Sequence, residues 1–244
     1  MLLSEDGNAA RIVAILDDPP LDSEAIETSQ ALDERLPALV QEAGLDGANA
    51  ALTGQTAIAS DTVQAIVDSS ALVGAVVLAC NFLLLALFLR ALIAPLYLLA
   101  ASVLSVAATL GVTTYVFQGL LGHSDLTYYV PFAAGVLLVS LGSDYNVFVA
   151  GRIWQEAERR PLREAIAVAA PRASRAISVA GIALAASFAM LALVPVGGFR
   201  EFAFMMGFGV LLETFVVRPV LIPALVILFG SAGAWPSRLR HGEA

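Results

Sequence analysis

Asp144 and Tyr145 stand side by side in an apolar run, Tyr129 to Gly151, that is long enough to cross a bilayer. A carboxyl near the centre of a membrane helix costs about 2.5–3.5 kcal/mol on insertion scales, so such groups face a bundle interior and mark proton or ion handling. The Tyr145 hydroxyl can donate to a carboxylate or relay a proton. Sequence neighbours lie about 100° apart on a helix, so the two cannot serve each other. Each needs a partner on a facing helix. Gly142 and Ser143, immediately upstream, allow a second helix to come close. A quieter reading stays open, in which Asp144 is a packing carboxyl satisfied by Ser140 or Ser143.

Two further charges fall in a later apolar run, Glu213 and Arg218. Counted from the outer end of each run, the two carboxyls differ in depth by about 3 Å, and Arg218 lies about 5 Å below Asp144. If the two helices pack together, the three groups form one polar layer. In that layer Glu213 and Arg218 either pair with each other and fix the packing, or Arg218 holds one carboxylate ionised while the other exchanges a proton. Gly181, Ala185 and Ala189, at i, i+4 and i+8, form a small-residue seam for another close helix contact.

Other chemistries find little support. The chain has no Lys, so no Gly-rich phosphate loop ending in Lys exists, and direct ATP drive by this segment is not expected. The single Cys80 lies in an apolar run and reads as a buried hydrophobe, and no residue cluster predicts a metal or another cofactor. His123 and His241 are expected to be solvated. With no nucleophile paired to a base, the chain is not expected to be an enzyme.

The elements that must position these charges are mostly membrane helices. The chain is 59% hydrophobic and 14% charged, which excludes an ordinary soluble domain. Residues 1–68 hold thirteen acidic residues against Arg11 and Arg35, whereas 69–244 hold eight against eleven Arg. That acidic front argues against nucleic acid as a partner. Hydropathy predicts five transmembrane spans, at about 70–90, 93–118, 129–150, 176–196 and 202–229, with Pro219 and Pro223 expected to kink or extend the last. Arg90, the Arg-rich segment 152–175, and Arg238 and Arg240 belong on the cytoplasmic side. Residues 1–68 and the short loops 119–128 and 197–201 are then outside and the C-terminus inside. Residues 154–175 are expected to form an amphipathic helix on the cytoplasmic surface.

The front segment has α/β character. A buried strand is expected at Arg11–Leu16, a helix over about 24–43 capped by Asp22 or Ser23, a second strand at about 49–54, and a polar helix from about 59. The helix should bury Leu32, Leu36, Leu39 and Val40 on one face. The fold class expected is therefore mainly α, a polytopic bundle over 69–230 with a small external α/β domain over 1–68 and a cytoplasmic tail over 231–244. An external N-terminal domain needs a signal peptide or a preceding span, which Met1–Asp6 does not supply. The chain is expected to be part of a longer protein.

Several motifs carry a family resemblance. Gly142-Ser-Asp-Tyr-Asn-Val-Phe148, the Arg-rich connector, Arg175-Ala-Ile-Ser-Val-Ala-Gly181, and Gly209-Val-Leu-Leu-Glu-Thr-Phe-Val-Val-Arg-Pro219 with Pro223-Ala-Leu resemble the MmpL (mycobacterial membrane protein large) branch of the resistance–nodulation–division transporters. Leu52-Thr-Gly-Gln-Thr-Ala57 with Asp61 resembles that branch's lead-in from the external domain. The resemblance implies the end of a porter domain and five following spans, taken from the second of two similar halves. It implies that Asp144 and Tyr145 meet the Tyr and Asp of an equivalent helix as a proton relay. That helix belongs to the other half of the transporter or to a second copy of the chain. The family commonly has Asp where Glu213 stands. The function implied is proton-driven export or flipping of lipids or hydrophobic compounds across a bacterial plasma membrane. A non-transporting scaffold or lipid-sensing module of the same bundle type is the alternative.

Overall fold

The structure is a computed structural model that describes residues 2–18, 20–45, 47–196 and 198–236. The side chains of residues 2, 144, 172–176 and 231 lie outside that description. The chain divides into two compact units, Met1–Ala65 and Ile66–Ala244, with the boundary inside one long helix.

The first unit opens with a short antiparallel pair, β1 (Leu2–Leu3) and β2 (Ala10–Arg11), with Leu2 opposite Arg11. The expected strand at 11–16 does not form beyond Arg11. Ile15 is 91% exposed, and Ile12 and Val13 are exposed with it. A strand needs a neighbour for its N–H and C=O groups. Among the described residues the only one offered here is two residues long. The strand expected at 49–54 is also absent, replaced by irregular chain up to Gly54. The helix expected over 24–43 is α1, Ser23–Glu42. Asp22 occupies its N-cap position but makes no side-chain capping bond. Its buried residues are Ala25, Ile26 and Ser29; Leu32, Leu36 and Val40 are half-buried and Leu39 is exposed.

The polar helix expected from about 59 and the first span form a single helix, α2, Gln55–Leu89. Only 11% of its most apolar window is buried, and Leu72, Leu83, Leu87 and Phe88 all point outward. A helix that is apolar all round and this exposed has the surface of a lipid-facing span.

The rest of the second unit is a helical bundle. After α2 come α3 (Ile93–Thr114), prolonged by a π-helical stretch Tyr115–Leu120, and α4 (Tyr129–Ala157). Next are α5 (Leu162–Ala189), ending in the 3₁₀ turn Met190–Leu193, and α6 (Phe199–Leu212). A second π stretch, Glu213–Leu221, joins α6 to α7 (Ile222–Phe229). Among the described residues four helical runs are long and apolar enough to cross a membrane, namely Gln55–Leu89, Ile93–Leu120, Tyr129–Ala157 and Phe199–Phe229. The remaining expected span appears as the shorter apolar helix Ile177–Leu193, with a rise of about 25 Å. It is preceded by residues whose side chains are outside the description. The protein is thus a mainly α, multi-pass membrane bundle.

The amphipathic surface helix expected at 154–175 is not a separate element. Residues to Ala157 continue α4, a turn follows, and Leu162 onward is the start of α5. Ala165, Ile166, Ala169 and Ala170 turn inward and, apart from Ala165, join a core with Val149, Ile153, Trp154, Val217 and Ile222. The apolar stripe read from the sequence is real, and protein covers it instead of a membrane surface. A second core cluster links α4, α5 and α6 through Val130, Leu138, Ala185, Met205 and Met206.

Each end of this bundle is tied across. At one end the α2–α3 turn bonds to the chain after α7, through Leu92 N–H to the Trp235 carbonyl at 2.8 Å. At the other, the loop before α4 meets the start of α6. Glu201 Oε2 accepts from the Thr127 N–H at 2.7 Å, and Glu201 Oε1 lies 3.1 Å from His123 Nδ1. A carboxylate only accepts, so this contact requires a proton on Nδ1. His123 also packs edge-on against Phe117. The histidine side chain is 46% exposed, as expected of a solvated residue, and it makes these contacts from that exposed position. Gly198 enters α6 at φ +79°, with Tyr129 Oη only 2.5 Å from where a Cβ would sit, so a larger residue has neither the backbone nor the space.

Candidate functional site

The charged layer is built by α4, α5 and the π stretch that follows α6. In an α-helix, residues five apart diverge by about 140°, which would point Glu213 and Arg218 to different neighbours. A π-helix bonds i to i+5 and so stacks such residues on one face. The stretch Glu213–Leu221 has that winding, and the Ile222 N–H beyond it bonds the Val217 carbonyl five residues back. Pro219 gives a physical cause. It lacks an N–H, and in α winding its ring would collide with the carbonyl four residues before. Glu213 and Arg218 consequently both face α4.

Glu213 is 3% exposed, and its carboxyl lies against Gly142; a Cβ there would be 3.1 Å from Oε1 and 3.2 Å from Cδ. Gly142 is the residue that lets α6 and α4 approach with a carboxyl between them. Three positions on, the Arg218 guanidinium lies 4.2 Å from the centroid of the Tyr145 ring. A desolvated cation–π contact of this kind contributes about 2 kcal/mol. Arg218 also donates from Nη1 to Thr214 Oγ1 at 3.3 Å, and Thr214 in turn donates to the Val210 carbonyl at 2.6 Å. Thr214 is seated against Gly181 of α5, where a Cβ would come within 3.0 Å of its Cγ2. Gly142, Tyr145, Gly181, Glu213 and Arg218 line one small cavity.

Among the described residues no ion pair joins Glu213 to Arg218. The arginine is drawn to the Tyr145 ring and Thr214 instead, and neither Glu213 oxygen has a hydrogen-bond partner. The backbone of Asp144 belongs to α4, between Ser143 and Tyr145. Its side chain lies outside the described residues. Ser143 is buried with its hydroxyl unpartnered. The seam expected along α5 holds at Gly181 and at Ala185, which meets α6 beside Gly207, and ends before the exposed Ala189.

One set of residues went unremarked in the sequence. Ser102, Ser105, Thr109 and Thr113 of α3 are all buried. Their spacing of 3, 4 and 4 residues puts them on one face. Asn146 of α4, wholly buried, donates to Ser102 Oγ at 3.2 Å. Ser105 faces the Glu213 carboxyl without completing a hydrogen bond to it. The signal was available in the helical spacing of these four hydroxyls along one apolar run. Chemically, the layer offers a buried carboxyl, a fixed cation and a phenol, with hydroxyls leading up to it. That set can take up, hold and pass a proton.

A sequence model of the MMPL family matches residues 1–244. A Streptomyces coelicolor membrane protein, SCO5905, is 39% identical over 236 residues, 97% of this chain and 28% of the relative. The apo-petrobactin exporter of Bacillus anthracis is 32% identical over 222 residues, 90% of this chain and 30% of the relative. The sulfolipid-1 exporter MmpL8 of Mycobacterium tuberculosis is 31% identical over 239 residues, 98% and 22% respectively. The chain spans less than a third of the length of these curated relatives.

Proposed function

The chain belongs to the MMPL family, and from that premise we propose that it is the proton-handling membrane part of a transporter for lipids or other hydrophobic compounds. Two of its relatives are named as exporters, one of sulfolipid-1 and one of apo-petrobactin. The observation that carries the reading is the packing of Glu213 on Gly142 and of Arg218 over Tyr145, deep between two helices long enough to cross a bilayer. A carboxyl kept from water without a partner is costly. A site that binds and releases a proton is a reason to keep one.

In this reading Asp144 and Tyr145 form half of a relay. Tyr145, its ring held by Arg218, presents its hydroxyl to a carboxyl on another helix, and Asp144 takes the phenol of that helix. The complement comes from the rest of a longer protein or from a second copy of the chain. Residues 1–68 are assigned to an extracytoplasmic domain, and the turns bearing Arg90 and Arg159–Arg160 to the cytoplasmic side of a bacterial plasma membrane, as the bias of Arg toward those segments favours. Inward proton flow supplies the drive. A potential of 100 mV gives about 2.3 kcal/mol per proton before any pH gradient is added.

The test uses the full-length protein that carries this chain, reconstituted into liposomes with an imposed pH gradient and potential. Asp144→Asn is expected to lower both proton uptake and export at least a hundredfold, and Tyr145→Phe at least tenfold. Elution from a sizing column should be unchanged in both. An Asp144→Asn protein that exports at the unmodified rate would defeat the proposal and leave a scaffold or lipid-sensing role in its place.

A further inference from the structure

The hydroxyl face of α3 leads to the charged layer, and we propose that it is a proton inlet. In this proposal water molecules, held between α3, α4 and α6 by Thr109, Ser105, Glu213 and Asn146, connect the Thr113 end of α3 to the Glu213 carboxyl. The inference deepens the transport reading and rests on it for the use made of the protons. The presence of water rests on the buried atoms alone.

Those atoms are specific. Hydroxyls in membrane helices usually bond back to the carbonyl four residues earlier, as Thr113 does to Thr109 and Thr214 to Val210. Thr109 does not. Its Oγ1 is fully buried without a partner, as are Asn146 Oδ1, Ser143 Oγ and both oxygens of Glu213. Leaving one such group unpaired costs about 1–3 kcal/mol, so these five atoms, on α3, α4 and the stretch after α6, call for partners. Buried polar atoms grouped in this way are the usual ligands of internal water, which makes about three hydrogen bonds. The opposite face of α3 carries Leu96, Val103 and Leu104, all exposed, so the polar side is turned inward and away from lipid.

The register also fits. The Thr109 methyl lies against Gly209, where a Cβ would meet its Cγ2 at 3.1 Å and the Leu138 side chain at 2.7 Å, and Ser105 faces Glu213. Both helices step by four residues between these contacts, in opposite chain directions. One rung is thus about 6 Å from the next, a gap that one or two waters bridge. Beyond Glu213 lies the cavity shared with Tyr145 and Arg218. Toward the other end, Asn146 and Ser102 close the file with their direct hydrogen bond. Glu213 is where the file meets the relay.

Two measurements on the full-length protein test this. A high-resolution structure in lipid nanodiscs should show water density within hydrogen-bonding distance of Thr109 Oγ1, Asn146 Oδ1 and a Glu213 oxygen. Direct protein partners for all three atoms, with no water between, would overturn the proposal whatever the transport rates. In liposomes, Thr109→Val, which keeps shape and removes the hydroxyl, should slow proton uptake about tenfold, and Thr109→Ser should restore it to within twofold. Water present but uptake unchanged in Thr109→Val would also overturn it, because the water would then be only structural. Should the unmodified protein take up no protons at all, the transport reading fails. The proton inlet fails with it, even if the water density is there.

Discussion

Glu201 and Glu213 are the same side chain, on one continuous helical run, with the same burial at 4% and 3% exposure. They lie twelve residues apart, about 18 Å along the axis, and their surroundings are opposite. Glu201 has the Thr127 N–H on one oxygen and His123 on the other. Glu213 has Gly142 on one side, a hydroxyl that stops short on the other, and an arginine engaged elsewhere. A buried carboxylate whose oxygens are both served stabilises a fold by joining a loop to a helix. One left unserved destabilises it. The first is a structural device, and the second makes sense where a proton must come and go.

The strongest way to break this comparison is Glu213→Gln. The amide keeps the shape and cannot exchange a proton, so proton-driven export by the full-length protein should fall at least a hundredfold. The melting temperature in detergent should hold or rise, because an unpaired buried carboxyl is replaced by a neutral group. Full export by the glutamine variant would show that the two carboxyls do not differ in kind. A fall in melting temperature with export intact would make Glu213 the structural one.

Glu201→Ala should give the reverse. Removing the acceptor leaves the Thr127 N–H and His123 without this partner where the loop before α4 meets the start of α6. Losing hydrogen bonds to a charged group should cost about 2–4 kcal/mol of stability, read as a lower melting temperature. Transport per folded molecule should stay within about threefold of the unmodified protein. Glu201→Gln, which still accepts from Thr127, should lose roughly half as much. If Glu201→Ala abolished transport without loss of stability, the contact of Glu201 with Thr127 and His123 would be part of the proton route.

The difference between the two carboxyls was only partly legible beforehand. Glu213, Arg218, Asp144 and Tyr145 announce themselves as charges and a phenol in apolar runs, and run lengths near 20 residues mark the helices around them. The π winding at Glu213–Leu221 was not legible, because one proline allows a kink as readily as a change of helical pitch. Depth along the helix alone makes Glu213 and Arg218 look like partners, and it does not reveal the Tyr145 contact. His123 is exposed as expected, but its contact with Glu201 was not legible, because the two lie 78 positions apart. At the front of the chain, Arg11–Leu16 has the composition of a buried strand. Composition states what a segment would do beside a partner strand, and the described residues supply almost none. The stripe on α5 failed in the opposite direction. Its apolar period was read correctly, but periodicity does not tell whether lipid or protein covers a face.

A smaller effect sharpens the comparison on the Glu213 side by asking how rigidly its neighbour is held. Thr214 is wedged between Gly181 of α5 and Arg218, and its hydroxyl receives the Arg218 hydrogen bond. Gly181→Ala should push that threonine aside and loosen the guanidinium over Tyr145. Overpacking of this sort costs about 1–3 kcal/mol, and transport should drop by about three- to tenfold. Lost packing alone could give the same numbers, so the decisive measurement is a double-variant cycle with Thr214→Ala. If the glycine acts through Thr214, adding Gly181→Ala to Thr214→Ala should change neither stability nor transport further, a coupling well above the few tenths of a kcal/mol expected for independent sites. Additive losses would mean that Gly181 serves only the α5–α6 contact and that Arg218 is held without it. The charged layer would then depend on α4 and the π stretch alone.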